Sequence, residues 1–141
     1  MFRRMTTAVP ILLVEDDDDA AEAIAMLLRS QRVANPVHRV ADGEAALAYL
    51  LTNEPPALVV LDLRLPEVGG LQVLQLVRST TKCWNVPVLV VTASVDDADR
   101  VSAMKLGADA YLPKTELAHK LVPLARTLAS VWVTAPAAAT T

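Results

Sequence analysis

Apolar residues in this chain gather into short unbroken runs, and each run ends on a polar residue. Pro10-Ile11-Leu12-Leu13-Val14 stops at Glu15-Asp16, Leu58-Val59-Val60-Leu61 at Asp62, Val88-Leu89-Val90-Val91 at Thr92, and Ala110-Tyr111-Leu112 just before Lys114. Runs of this length, without polar alternation, predict strands buried on both faces, as in a parallel sheet. Between them the period lengthens. From Asp17 to Gln31, Ala20, Ile24, Leu27, Leu28 and Gln31 recur at helical spacing, behind three Asp residues suited to the positive end of a helix.

The rest of the chain continues the alternation. Asn35-Pro36 ends the first helix, and Val37 to Val40 predicts a short strand, polar enough at His38 and Arg39 to be a sheet edge. Asp42-Gly43 makes a turn, with Asp42 placed to cap an Ala-rich helix from Glu44 to Leu51. Ala57 to Leu61 predicts the third strand. After the loop Leu65-Pro66-Glu67-Val68-Gly69-Gly70 comes a helix over 71–80. Val86 to Val91 predicts the fourth strand. The next helix, 95–106, would turn Ala98, Val101 and Met104 inward and end at Gly107 in a C′ position. Asp109 to Leu112 predicts the fifth strand, and a last helix spans 116–133.

Five strand–helix units with right-handed crossovers form a doubly wound α/β fold. With the second and fifth strands at the edges, the expected order is 2-1-3-4-5, a flavodoxin-like sheet with helices on both faces. In such sheets ligands collect at the carboxyl ends of the strands, at the switch point between strands one and three. Asp16 and Asp62 would converge there.

Composition narrows the function classes. At 141 residues, the expected organisation is an extension over 1–8, one domain over 9–133 and a disordered tail over 134–141. A net charge of −3 with scattered basic residues argues against nucleic-acid binding. The first apolar run is too short for a membrane span, so a cytoplasmic protein is expected. Cys83 is the sole cysteine, which leaves no disulfide framework or thiolate metal cage.

Glu15, Asp16 and Asp62 crowded together would repel, and a hard divalent cation relieves that repulsion. Mg²⁺ takes a few carboxylates and leaves positions for phosphate oxygens. Asp62 could then act as the nucleophile in aspartyl phosphate formation. Lys114 would balance the phosphoryl charge, and the Thr92 hydroxyl would donate to a phosphoryl oxygen. Each residue alone also has a plain structural reading: the acidic run as a cap and dipole complement, Asp62 as a turn residue, Thr92 as an N-cap, Lys114 as a solvated cation. The functional reading rests on their joint placement at the ends of four strands.

The motifs Ile-Leu-Leu-Val-Glu-Asp-Asp, Leu-Asp-Leu-Arg-Leu-Pro with Gly-Gly, Val-Val-Thr-Ala and Gly-Ala-Asp-Ala-Tyr-Leu-Pro-Lys resemble those of response-regulator receiver domains over residues 9–133. The resemblance implies that Asp62 is the phosphoacceptor for a histidine kinase. It implies that Asp16 ligates Mg²⁺ directly, Glu15 through water and Arg64 through its backbone carbonyl, and that Thr92 and Tyr111 form a switch pair. The chain departs from the common pattern at Thr115, where many receivers carry a cis proline after the lysine. Arg64 and Ser94, two positions past Asp62 and Thr92, line the path of attacking water and would tune the phosphoryl lifetime.

The last predicted helix carries one apolar stripe, Leu117, Leu121, Leu124, Leu128 and Val131, and a second of Val122, Ala125, Ala129 and Trp132. The second stripe is either core coverage or a surface for a homodimer or partner, built with the preceding helix and the fifth strand. Pro123 should cost that helix a backbone hydrogen bond and kink it. With about eight residues after the helix, a stand-alone receiver signalling by protein contact is expected. The Val131-Trp132-Val133 ending, the Asp run and the 78–86 connection resemble regulators paired with phytochrome-type histidine kinases. Two other functions compete. A haloacid-dehalogenase-type phosphatase would need a second Asp where Arg64 stands. A phosphate-independent pseudo-receiver would have lost Asp62, Lys114 or the Glu15-Asp16 pair, and all are present.

Overall fold

In the computed structural model, which describes residues 9–93 and 96–129, the most apolar runs form the middle of one parallel sheet. The strands are β1 (Ile11–Val14), β2 (Val37–Val40), β3 (Leu58–Asp62), β4 (Val88–Thr92) and β5 (Ala110–Pro113). They alternate with helices α1 (Asp18–Ser30), α2 (Gly43–Thr52), α3 (Gly70–Ser79), α4 (Asp97–Lys105) and α5 (Leu117–Leu128), and a single 3-10 turn over Lys114–Glu116 joins β5 to α5. The strand order β2-β1-β3-β4-β5 is the expected one. Residues 1–8, Ser94, Val95 and 130–141 lie outside the described residues, and with them the expectations for Ser94, Val131, Trp132 and the tail.

Every residue of β1, β3 and β4 is buried, because helices cover both faces. Successive residues feed opposite cores. Ile11, Leu13, Leu58, Val60, Leu89 and Val91 pack with Ile24 and Leu28 of α1 and Leu121, Val122 and Ala125 of α5. Leu12, Val14, Val59, Leu61, Val88 and Val90 pack with Ala46 and Leu50 of α2, Val73, Leu74 and Val77 of α3 and Ala103 of α4. The helix starts follow the local chemistry. The Asp17 side chain accepts from the Ala20 amide at 2.8 Å, and Asp42 accepts from the Ala45 amide at 2.8 Å.

Three expectations are corrected. Val122 and Ala125 are not surplus: they lie buried against the sheet, so the second stripe of α5 belongs to the core and Ala129 packs at its margin. The helix also stops at Leu128, with Ala129 extended at φ −145° and ψ 170°, and both residues line an open concavity together with Val9, Pro55, Pro56 and Pro87. In α4, Val101 and Met104 are exposed and only Ala103 is buried. The cause is a C-terminal anchor. Gly107 takes φ +105°, its N–H donates to the Met104 carbonyl, and the Ala108 N–H donates to the Ala103 carbonyl. That fixes Ala103 toward the sheet and turns the larger side chains outward. The Lys114–Thr115 bond is trans. Pro123 lies inside α5, and the helix runs through it from Leu117 to Leu128.

Candidate functional site

The register of the central strands brings the acidic residues together. Val14 pairs with Leu61, so Glu15 and Asp62 leave adjacent strands at the same level. The Glu15 N–H donates to the Val40 carbonyl at 3.1 Å, which extends the ladder one residue past β1 and fixes the carboxylate at the rim. Thr92 pairs with Pro113 across β4 and β5, which puts Lys114 one residue beyond the hydroxyl. Carboxylate oxygens from Glu15, Asp16 and Asp62 lie within 4.8 Å of one another. Glu15, Asp62 and Thr92 are buried, while Asp16 is exposed.

Lys114 ties the pocket. Its Nζ lies 2.7 Å from Glu15 Oε1 and 3.1 Å from Asp62 Oδ2. The short contact to Glu15 Oε1 is a buried ion pair that ties the turn after β1 to the end of β5. Burial pushes the Glu15 carboxyl above its ordinary value, and the negative charge of Asp62 adds to the rise. The ammonium and the Asp17 amide, which donates to Oε2 at 3.1 Å, oppose it only in part. For Lys114, burial works to lower the pKa, but the two carboxylates outweigh it and raise the value. Asp62 Oδ1 accepts from the Arg64 N–H at 3.0 Å, so both oxygens of this carboxylate are oriented from outside its own strand.

Three carboxylates from two segments, the turn after β1 and the end of β3, converge at the sheet rim, and that donor set fits a hard divalent cation. Glu15, Asp16, Asp62 and Lys114 therefore meet, and Thr92 lies buried at the end of the neighbouring strand β4. Tyr111 sits half-buried on β5 against the α2–α4 core. The exposed Arg64 side chain reaches α4, where its guanidinium pairs with Asp99 at 3.2 Å.

Two supporting residues escaped the sequence reading. Arg39 Nε donates to the Glu15 carbonyl at 2.9 Å and its Nη1 to Asp18 at 2.9 Å, bracing the acidic loop from β2. Its polar character on a strand was the only signal, and it read as an edge. Gly70 begins α3 against the end of β3, where a Cβ would stand 2.5 Å from the Asp62 carbonyl oxygen. Adjacent glycines signal a turn; the close approach is visible only once both segments are placed.

The family model for the response regulator receiver domain matches residues 11–126. Among curated proteins, the response regulator Rcp1 of Synechocystis sp. is 31% identical over 137 residues, spanning 91% of this chain and 93% of its own. The alkaline phosphatase synthesis transcriptional regulatory protein SphR of Synechococcus elongatus is 36% identical over 126 residues, 84% of this chain and 48% of its own. The chain thus spans about half the length of SphR and of several other curated relatives it matches. Among solved structures, the bacteriophytochrome response regulator AtBRR superposes with a TM-score of 0.78 at 33% identity, covering 92% of this chain and 98% of its own. The receiver domain of the sensor histidine kinase PA1611 from Pseudomonas aeruginosa, with a magnesium ion coordinated in its active-site cleft, superposes at 0.77 with 27% identity. It covers 86% of this chain and 97% of its own.

Proposed function

The chain belongs to the response regulator receiver domain family, and on that premise we propose that Asp62 accepts a phosphoryl group from the phosphohistidine of a sensor histidine kinase. The P–N bond to the kinase imidazole breaks, an O–P bond forms at the Asp62 carboxylate, and the leaving imidazole takes a proton from solvent. One observation carries the reading. The Asp62 carboxylate is buried at the end of a central strand, held at one oxygen by the Arg64 amide and at the other by Lys114, within 4.8 Å of two further acidic groups.

Glu15, Asp16 and Asp62, with the backbone carbonyl of Arg64, would hold Mg²⁺, which supplies positive charge against the incoming phosphoryl oxygens. Lys114 is positioned to move from the Asp62 oxygen onto a phosphoryl oxygen. Thr92 supplies the hydroxyl donor, and Tyr111 follows it as the ring of the switch pair. Arg64 and Ser94, two positions past Asp62 and Thr92, would tune the return of water to the phosphoryl group, and the protein acts as a switch without turnover.

The likeness to the bacteriophytochrome response regulator AtBRR supports a phytochrome-type kinase as donor. Output would pass through the α4–β5–α5 face, where Tyr111, Pro113, Glu116, Lys120, Pro123 and Leu124 line a shallow concavity of about 470 Å³. A homodimer through α5 would use exposed residues such as Lys120, Pro123 and Thr127, since Val122 and Ala125 are already buried. No helix among the described residues is long and apolar enough to cross a membrane, and we place the protein in the cytoplasm with its kinase's catalytic core.

The test is direct. With Mg²⁺ and acetyl phosphate, the intact mass should rise by one phosphoryl group, as an acid-stable, base-labile adduct mapped to Asp62. Asp62→Asn should take none. A wild-type protein that gains no mass at saturating Mg²⁺ refutes the reading.

A further inference from the structure

The turn after β1 carries five acidic residues in succession, Glu15 to Asp19. Like charges so close together repel, and the repulsion favours a more open turn. Asp16, one of the three carboxylates of the pocket, is exposed, so its place depends on the backbone that carries it. Arg39 holds that backbone on both sides. In the ladder it pairs with Leu13, and its side chain runs beyond that level to the rim. There Nε donates to the Glu15 carbonyl at 2.9 Å, just before Asp16, and Nη1 donates to Asp18 Oδ1 at 2.9 Å, just after it. The Asp17 N–H, donating to Glu15 Oε2 at 3.1 Å, ties the turn to itself; Arg39 ties it to a separate strand.

The guanidinium acts on a cation in the pocket in two ways of opposite sign. Its positive charge repels the ion. Its fork orders the turn in advance, so that less ordering is left for the ion to impose. The pairing with Asp18 decides which effect dominates. Two opposite charges in contact cancel at a distance, and solvent screens what remains, because Asp18 is 89% exposed. Ordering is left as the larger effect.

We propose that Arg39 is a positioning residue for divalent-cation binding: its two-pronged hold on Glu15 and Asp18 fixes the turn that presents Asp16 to the ion. This rests on Glu15, Asp16 and Asp62 forming the cation site, and it adds a residue on β2 that reaches them through the backbone. The side chain is needed for its shape. A lysine carries the same charge on a single nitrogen and cannot reproduce the fork of Nε and Nη1.

Mn²⁺ binding, read from the free-ion signal in electron paramagnetic resonance, tests this without any phosphodonor. Loss of the bound ion in Asp62→Asn assigns it to the pocket. Arg39→Gln and Arg39→Lys should each weaken binding by about tenfold, the lower end of what a supporting partner of a metal ligand contributes. Asp18→Asn, which removes the exposed prong, should weaken it by about two- to threefold. Asp19→Asn takes the same charge from the same turn and should change it by less than about twofold. The Mg²⁺ concentration giving half-maximal adduct with acetyl phosphate should rise by matching factors. Melts in chelator establish which variants are folded at the measuring temperature; should Arg39→Gln not fold, Arg39→Lys and the two Asp variants carry the comparison. Lower stability with an unmoved Mn²⁺ midpoint would make Arg39 a structural brace only and overturn the proposal. So would an Arg39→Gln protein that binds Mn²⁺ as tightly as the wild type or tighter, or an Arg39→Lys protein that matches the wild type. In those cases the cation site itself stands. A wild type that binds no Mn²⁺ removes both.

Discussion

Helices α3 and α4 lie on the same face of the sheet and are nearly the same length, yet they are bound to it in different ways. The first buries Gly70, Val73, Leu74 and Val77, a full apolar stripe. The second buries Ala103 alone and leaves Val101 and Met104 in solvent. The difference coincides with their duties. Helix α3 begins directly behind the phosphoacceptor loop, with Gly70 pressed on the Asp62 carbonyl, and any play there would move the acceptor. Helix α4 supplies no residue to the acidic pocket, and of its residues only Ala103 is buried.

The contrast can be broken most severely from the α3 side. Leu74→Ala should lower the stability to urea unfolding by about 2–5 kcal/mol, since a fully buried leucine leaves a cavity behind it. Gly70→Ala should cost about 1–3 kcal/mol, because the added methyl meets backbone atoms of Asp62 and Leu63 that cannot yield. It should also reduce the adduct formed with acetyl phosphate, which intact mass reads in the same preparation.

A pH series sharpens the comparison from within the pocket. The raised Glu15 pKa means that the folded chain binds this proton more tightly than the unfolded chain does. Stability from this group therefore falls as pH rises from about the ordinary 4.5 through the raised native value. In chelator, thermal melts of wild type and Glu15→Gln should diverge as pH climbs, with the variant gaining relative stability; Mg²⁺ should shrink or reverse that gap for the wild type. Identical pH slopes for the two proteins would contradict the assigned strain. The smallest effect is expected on the loose side. Met104→Ala, at a side chain 41% exposed, should change unfolding stability by no more than about 0.5 kcal/mol. A cost near that of Leu74→Ala would erase the distinction between the helices.

Most of the site could be read along the chain because it sits where patterns stop. A buried strand must end, and the first polar residue after it lies at the sheet rim, so Glu15, Asp62, Thr92 and Lys114 were locatable from strand ends alone. The helices were harder. In α4, the spacing of Ala98, Val101 and Met104 suggests an inward stripe, but the turn at Gly107 and the Arg78 guanidinium, which donates to the Gly107 carbonyl, decide the rotation, and they place Ala103 inside instead. In α5 the sequence carries two apolar stripes, and it took the sheet's width to show that one side accepts both Leu121 and Val122 with Ala125. Arg64 illustrates the same limit. Nothing near it in sequence names Asp99, which lies 35 residues away and meets it only across a helix.

The amino-acid sequence by itself determined the alternation of strands and helices, the edges of the sheet and the identity of the groups at its rim. These follow from local hydrophobic periodicity and turn chemistry, which need no distant partner to be read. Only the tertiary structure decided which side chains meet across elements. That covers the Lys114 bridge between Glu15 and Asp62, the close contact of Gly70 with Asp62, the burial of Val122 and Ala125, and the reach of Arg64 to α4. Such contacts depend on helix rotation and strand register, and those are set by packing summed over the whole core and not by any one segment.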